Sequence, residues 1–302
     1  MSGFSAEWLA LREPHDAAAR AVALVERLRR TSAARPNGGA AAPRTIVDLG
    51  AGSGANLRWL APRLGGEQVW NLVDHDESLL AAAARALGDW AASRGAQLRI
   101  DGEPRDAGRA QLVVRGADFS CRVRRAHVDL ASELARIELP LRALVTSSAL
   151  LDLVSARWLE ALAHRCRAAA ADVYFALTYD GRTVCTPAEP EDSEVLDLLN
   201  RHQTGDKGFG PALGLTAAQH AAEVFASLGY GVTVHASDWS IPARDAPLQR
   251  ALLAGWLDAA VEIAPPRTGA LRAWHARRLA HVDALRSQIA VGHVDFVGIH
   301  AR

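Results

Sequence analysis

The sequence predicts an α/β fold, a mostly parallel sheet flanked by helices and formed by one domain over residues 1–302. Three observations predict it. From residue 45 onward, short apolar runs alternate with amphipathic stretches, the strand–helix–strand rhythm of a parallel sheet. The glycine-rich GAGSGA (50–55) lies between an apolar run and a helical one, where glycines let backbone approach a ligand at a helix N-terminus. The composition, 49% hydrophobic and 23% charged over 302 residues, is that of a globular chain. A chain of this length can bury about 75% of its unfolded surface, so a sizeable core is available.

Taken in order, residues 16–31 read as an amphipathic helix with Asp16 as N-cap, and 32–44 as a Pro/Gly/Ala connector. TIVDL (45–49) is a strand and ANLRWLAPRL (55–64) a helix. VWNLVD (69–74) is the next strand and ESLLAAAARALGDWAAS (77–93) the next helix. Three β-like runs follow, AQLRID, QLVVRG and FSCRVRRAHVDL, separated by Gly/Asp-rich turns. They predict an antiparallel hairpin insertion over 95–127 that returns to the main sheet near Val128. RALVTSS (142–148) and DVYFALTYD (172–180) are strands around the helix SARWLEALAHRC (155–166). Residues 181–215, rich in Pro, Gly and charge, are expected to form a long lid loop. A helix over 216–230 and the strand GVTVHASDW come next. A helical insertion over 243–291 then places helices at about 246–263 and 268–291, separated by Pro265-Pro266. Leu271, Trp274, Leu279, Val282, Leu285 and Ile289 form the apolar face of the second. HVDFVGIHAR (293–302) alternates as a last strand, and about seven strands are expected to feed the main sheet.

Composition also narrows the function classes. Basic and acidic residues balance at 34 each, so bulk charge gives no support for a nucleic-acid partner. Cys121, Cys166 and Cys185 are odd in number and far apart, which points to a reducing, cytoplasmic setting. No run of 18 apolar residues predicts a membrane span, and the first residues lack a secretory pattern. Neither C-x-x-C nor H-E-x-x-H occurs, so no metal site is expected.

The glycines alone leave two readings open. Gly50, Gly52 and Ala55 satisfy the dinucleotide pattern G-x-G-x-x-[GA], while Gly50, Gly52 and Gly54 satisfy G-x-G-x-G. Asp48, two residues before the first glycine, favours the second. A carboxylate there would repel a pyrophosphate, whereas it suits a ligand bearing an ammonium and a sulfonium. VDLGAGSG (47–54) thus resembles the first motif of class I S-adenosylmethionine-dependent methyltransferases. The resemblance covers residues 45–180 and 216–302. It implies a Rossmann-like, seven-stranded sheet whose last strand is antiparallel, with residues 1–40 as a helical cover.

The resemblance also implies a site. Gly50, Ala51, Gly52, Gly54 and Asn56 would lie against S-adenosylmethionine, with Asp48 near its amino group and Arg12 near its carboxylate. Asp74 would take the ribose hydroxyls, because a carboxylate accepts from two hydroxyls at once. His75 would lie over the adenine. Asp76 is a rival to Asp74, or an N-cap of the helix that follows. Asp129 and Leu130 would face the adenine edge, with an N-cap role again open for Asp129. Ser147, Ser148 and Asp152 stand where cofactor and acceptor meet. The Asn-Pro-Pro-[Tyr/Phe] signature of adenine and glutamine methylation is absent.

Catalytic candidates are His202, Lys207 and Asp152. Lys207, in NRHQTGDKGFGPALG (200–214), is the single lysine among the 34 basic residues. Its ammonium can shift its pKa, which a guanidinium does not readily do. Tyr179, Asp180 and Trp239 would line the same pocket. The reading expected from the sequence is methyl transfer to a small-molecule acceptor. A catalytically silent cofactor-binding protein and, less favoured, a NAD(P)-dependent oxidoreductase are the alternatives.

Overall fold

The computed structural model describes residues 5–33, 43–101 and 111–301. Two helices, α1 (Ala6–Ala19) and α2 (Val22–Ala33), precede β1 (Arg44–Leu49). Then come α3 (Ala55–Leu64), β2 (Gly66–Asp74), α4 (Glu77–Ser93), β3 (Gln97–Asp101), β4 (Gln111–Arg115) and β5 (Phe119–His127). The second half contains β6 (Leu144–Ser148), α5 (Ala156–Ala168), β7 (Asp172–Thr186), α6 (Asp192–Gln203), α7 (Ala217–Ser227) and β8 (Tyr230–Ala236). It closes with β9 (Trp239–Ile241), α8 (Ala246–Ile263), α9 (Thr268–Asp283) and β10 (Gln288–His300).

All the strands join one sheet, ordered β3-β4-β5-β2-β1-β6-β7-β10-β8, with β9 paired to β10. Strands β5, β2, β1, β6 and β7 run parallel. β10 lies antiparallel between β7 and β8. The Rossmann-like path β5-β2-β1-β6-β7-β10-β8 therefore has the seven strands and the antiparallel last strand that the sequence implies. The count itself is corrected to ten, because the β3–β4 hairpin extends one edge and β9 pairs beside β10. β1 is buried on both faces, as a central parallel strand must be. Its alternation sends Ile46 into one core layer with Leu60, Trp70 and Tyr174, and Val47 and Leu49 into the other with Phe175 and Phe296. Asp48 shares the Ile46 side.

Several boundaries differ from the sequence reading, each for a local reason. The single helix expected over 16–31 is two helices broken at Arg20–Ala21, where the Ala21 N–H donates to the buried Asp295 carboxylate at 2.9 Å. Asp16 is consequently not an N-cap but an interior residue of α1, and Ser5 caps that helix. The third β-like run is not part of an excursion; it is β5 itself, in register with β2 from Gly66↔Phe119 to Asp74↔His127. The helix expected to reach 291 stops at Asp283, with Leu285 at φ +53°, so exposed Leu285 and strand residue Ile289 leave its apolar face. The last strand begins at Gln288 rather than 293. Segment 181–215, expected as a lid loop, comprises the outer half of β7, helix α6 and a tight turn. Most of the connector (34–42) and of the hairpin turn (102–110) lies outside the described residues.

Candidate functional site

The parallel strands all end at one edge of the sheet, and the expected cofactor-binding residues gather there, whereas His202 and Lys207 do not. β1 runs into the glycine loop, where Gly50, Gly52 and Gly54 all have positive φ (+64°, +52° and +82°), which L side chains rarely adopt. The Gly52 N–H donates to Asp74 Oδ2 at 2.7 Å and the Asp76 N–H to Asp74 Oδ1 at 2.9 Å. Asp74, at the end of β2, thus holds the loop while each oxygen keeps a further lone pair. Helix α1 lies across the loop, with Leu9 Cδ1 3.0 Å from where a Gly52 Cβ would stand. The Glu13–Arg58 ion pair and the bond from Trp59 Nε1 to the Ala17 carbonyl (2.9 Å) fasten it.

Beneath the loop lies a buried polar network. Asp48 is fully buried; its Oδ1 accepts from Asn56 Nδ2 at 2.7 Å, and its Oδ2 has no partner. Burial pushes its carboxyl up to about 7, opposed by the Asn56 bond and the Arg20 charge. Asn56 also donates to Thr146 Oγ1 at 3.0 Å. Arg20, buried at the break between α1 and α2, donates to Asn56 Oδ1 at 2.7 Å and to Ser148 Oγ at 2.8 Å, and its guanidinium lies 5.1 Å over the Trp59 ring. Its Nε is buried without a partner. An acid and a base, each with an unused polar atom, flank the glycine loop. Sequence reasoning missed Arg20, because DAAARAVALVERLRR reads as one unbroken helix.

Other expected residues divide. Ala51, Leu130 and Ser147 are buried at this edge, and His75 is exposed with Nδ1 3.4 Å from Asp74 Oδ1. Asp76 caps α4, its Oδ1 accepting from the Ser78 and Leu79 N–H groups; this is the capping alternative that the sequence left open. Asp129 is exposed and accepts from the Ala131 N–H (2.9 Å) and Ser132 Oγ (2.7 Å). Those bonds hold its carboxyl below the usual range. Beyond it stands a turn and a short 3₁₀ helix, Leu134–Arg136, rather than an α-helix.

His202 and Lys207 do come together: the Lys207 ammonium lies 3.3 Å from His202 Nδ1, and His202 Nε2 lies 3.4 Å from Glu262. Burial lowers the Lys207 pKa. Asp206 Oδ1 ties the turn by accepting from the Gly208 and Gly210 N–H groups, and Phe209 packs edge-on against Trp158. Among the described residues, no hydrogen bond or ion pair joins His202 or Lys207 to the strand ends.

A second cluster does reach that edge. Arg12 pairs with Asp16 inside α1, and its guanidinium lies 5.0 Å over the Trp239 ring, so its charge is engaged within the protein. Trp239 Nε1 donates to Asp16 Oδ1 at 3.0 Å. The His293 ring packs against Trp239 (5.0 Å between centroids) and Tyr179 (6.3 Å). Burial and the Arg12 charge push His293 down to about 4. Asp152, in the 3₁₀ helix Leu151–Leu153 after β6, is buried with Oδ1 unpartnered. Burial raises its carboxyl to about 6, against the opposing influence of Arg12 and the Tyr179 backbone. His293 carried no sequence signal, since it reads as one more residue of an alternating strand.

No family model matches the chain, and no curated protein matches it. Solved structures do resemble it. A cyclopropane-fatty-acyl-phospholipid synthase-like protein from Lactobacillus casei is 14% identical, with 98% of this chain and 94% of that one covered, at TM-score 0.48. The cyclopropane synthase MmaA2 from Mycobacterium tuberculosis is 11% identical over 98% and 94%, at TM-score 0.45. A geranyl diphosphate methyltransferase in complex with SAM is 13% identical over 93% and 85%, at TM-score 0.38.

Proposed function

We propose that this chain transfers a methyl group from S-adenosylmethionine to a small-molecule acceptor. The observation that carries the reading is Asp48, a fully buried carboxylate with an unpartnered oxygen, at the foot of a glycine loop. A pyrophosphate at that loop would meet a buried negative charge; an ammonium and sulfonium would meet an attraction. This favours S-adenosylmethionine over a nicotinamide dinucleotide.

The residues fit such a ligand. Asp48 accepts from its amino group, and Arg20, with an unused Nε, takes the carboxylate that the sequence assigned to Arg12. Asp74 supplies lone pairs to the ribose hydroxyls. The glycine loop, with Ala51 and Asn56, permits close approach, and Leu130 and Ser147 wall the crevice. His75 and Asp129, both exposed beside it, complete the adenine end. When bound, the cofactor supplies a methyl group already activated on sulfur. The protein therefore needs alignment and exclusion of water, which α1 provides, more than a strong base. Of the catalytic candidates, Asp152 is the best supported, because its unpartnered oxygen lies at the end of β6. His202, in the last turn of α6, and Lys207, in the turn that follows, face Glu262 instead. No helix among the described residues is long and apolar enough to cross a membrane. The scattered, unpaired cysteines support a cytoplasmic setting.

Calorimetric titration of S-adenosylhomocysteine into wild type, Asp48→Asn, Arg20→Ala and Asp74→Ala tests the reading. Each variant weakens binding at least tenfold, about 1.4 kcal/mol. Wild-type affinity in all three would mean that the ligand lies elsewhere.

A further inference from the structure

We infer that the methyl acceptor is an amine, seated against Asp152 between Tyr179, Trp239 and His293. The inference rests on the methyltransferase reading and adds the chemical class of the acceptor to it.

Charge is the first argument. Arg12 and Asp16 form a neutral pair on α1, and His293 is neutral in its buried position. Asp180, Arg182 and Asp238 form an outer ion cluster, whose Asp238 Oδ1 accepts from the His293 N–H. Asp152 is left as the inner carboxylate without an ion-pair partner of its own, buried, with Oδ1 bonded to nothing. A buried acceptor oxygen of this kind calls for a donor, and a cationic donor answers both its charge and its lone pair.

The surrounding walls provide the second argument. The Arg12 guanidinium already lies 5.0 Å over the Trp239 ring, so this aromatic face accommodates a cation. Arg12 and Asp16 both belong to α1. Displacement of α1 by the acceptor would remove the pair together and uncover the Trp239 face and the neutral His293 imidazole beside Tyr179. A carboxylate acceptor would be repelled there, and a neutral phenol would leave the charge unanswered.

The chemistry balances. An ammonium R–NH₃⁺ gives one proton to the Asp152 carboxylate. The freed nitrogen lone pair forms the new C–N bond to the methyl carbon as the carbon–sulfur bond breaks and sulfur keeps the bonding pair. The products are R–NH₂–CH₃⁺ and S-adenosylhomocysteine, and the proton on Asp152 passes to water.

The test titrates phenylethylamine, phenylacetate and phenol into the full chain saturated with S-adenosylhomocysteine, using wild type and Asp152→Asn. Label transfer from S-adenosylmethionine to the same three compounds is then followed. The amine should bind and be methylated in preference to the other two. Asp152→Asn should weaken amine binding at least tenfold while S-adenosylhomocysteine affinity stays within twofold. That affinity also reports whether the variant is folded, and the wild-type preference stands without any variant. Preference for phenol or phenylacetate, absence of amine binding, or unchanged amine affinity in Asp152→Asn overturns the inference and leaves the methyltransferase reading intact. Failure of wild type to bind S-adenosylhomocysteine overturns that reading, and the inference with it.

Discussion

Asp48 couples folding to pH and, in the proposed function, to ligand choice. Its carboxyl is raised from the ordinary 3.8 to about 7 because burial disfavours the charged form. An acid with a raised pKa in the folded state contributes stability that is fully present below 3.8 and lost as pH rises through about 7. At about 1.4 kcal/mol per pH unit, a shift of about three units corresponds to at most ~4 kcal/mol. Asp152, raised to about 6, adds a smaller loss with the same sign. Urea unfolding of the unliganded chain should therefore show wild type losing stability between pH 5 and pH 8, and Asp48→Asn losing less. Parallel pH profiles for the two would show that Asp48 is not the titrating group. Asp48 was legible in the sequence because its place two residues before Gly50 is fixed by chain geometry. Arg20 and His293 were not, since their roles arise from partners distant in sequence, Ser148 for the first and Trp239 for the second.

Helix α1 covers the glycine loop, and the proposed function makes it the element that controls access to the site. Leu9 seats on Gly52, Glu13 pairs with Arg58, and the side chains of Trp59 and Trp239 bond back to Ala17 and Asp16. Arg58 in turn donates from Nη1 to the Ser53 carbonyl of the glycine loop at 2.6 Å, so helix and loop share one anchor. Glu13→Gln should speed hydrogen exchange of the α1 amides about tenfold, with the central strands unchanged and S-adenosylhomocysteine slowing it again. Exchange in α1 that ignores both the substitution and the ligand would contradict this role. Elements with a clean period were legible: α4 occupies the expected 77–93 and α3 the expected 55–64. The end of α9 was not, because the apolar period runs on to Ile289 while the left-handed turn falls on Leu285, which carries no glycine to announce it.

The whole molecule is held across its halves by Asp295 on β10. Fully buried, it accepts from the Tyr174 hydroxyl (2.8 Å), the Leu177 N–H (2.8 Å) and the Ala21 N–H (2.9 Å), joining β7, β10 and the start of α2. Asp295→Ala strands three donors, two of them fully buried, and should destabilise the fold by roughly 3 kcal/mol, read from denaturant midpoints. A loss within about 0.5 kcal/mol would show that these bonds are replaceable. At this scale the parallel sheet was legible from the alternation of apolar runs and amphipathic helices. Of the three added strands, β3 and β4 were legible as the antiparallel hairpin of AQLRID and QLVVRG; β9 was not, because its pairing beside β10 is decided by neighbours rather than by local pattern. The order of strands brings Asp48, Asp74, Ser147 and Asp152 to one edge, and that convergence is what the proposed function rests on. Thermal unfolding of the full chain with S-adenosylhomocysteine or NAD tests it most directly. At a hundredfold excess over Kd, binding adds about 2.7 kcal/mol, so S-adenosylhomocysteine should raise the midpoint of wild type clearly and that of Asp48→Asn much less. A midpoint raised by NAD and unmoved by S-adenosylhomocysteine would contradict the account.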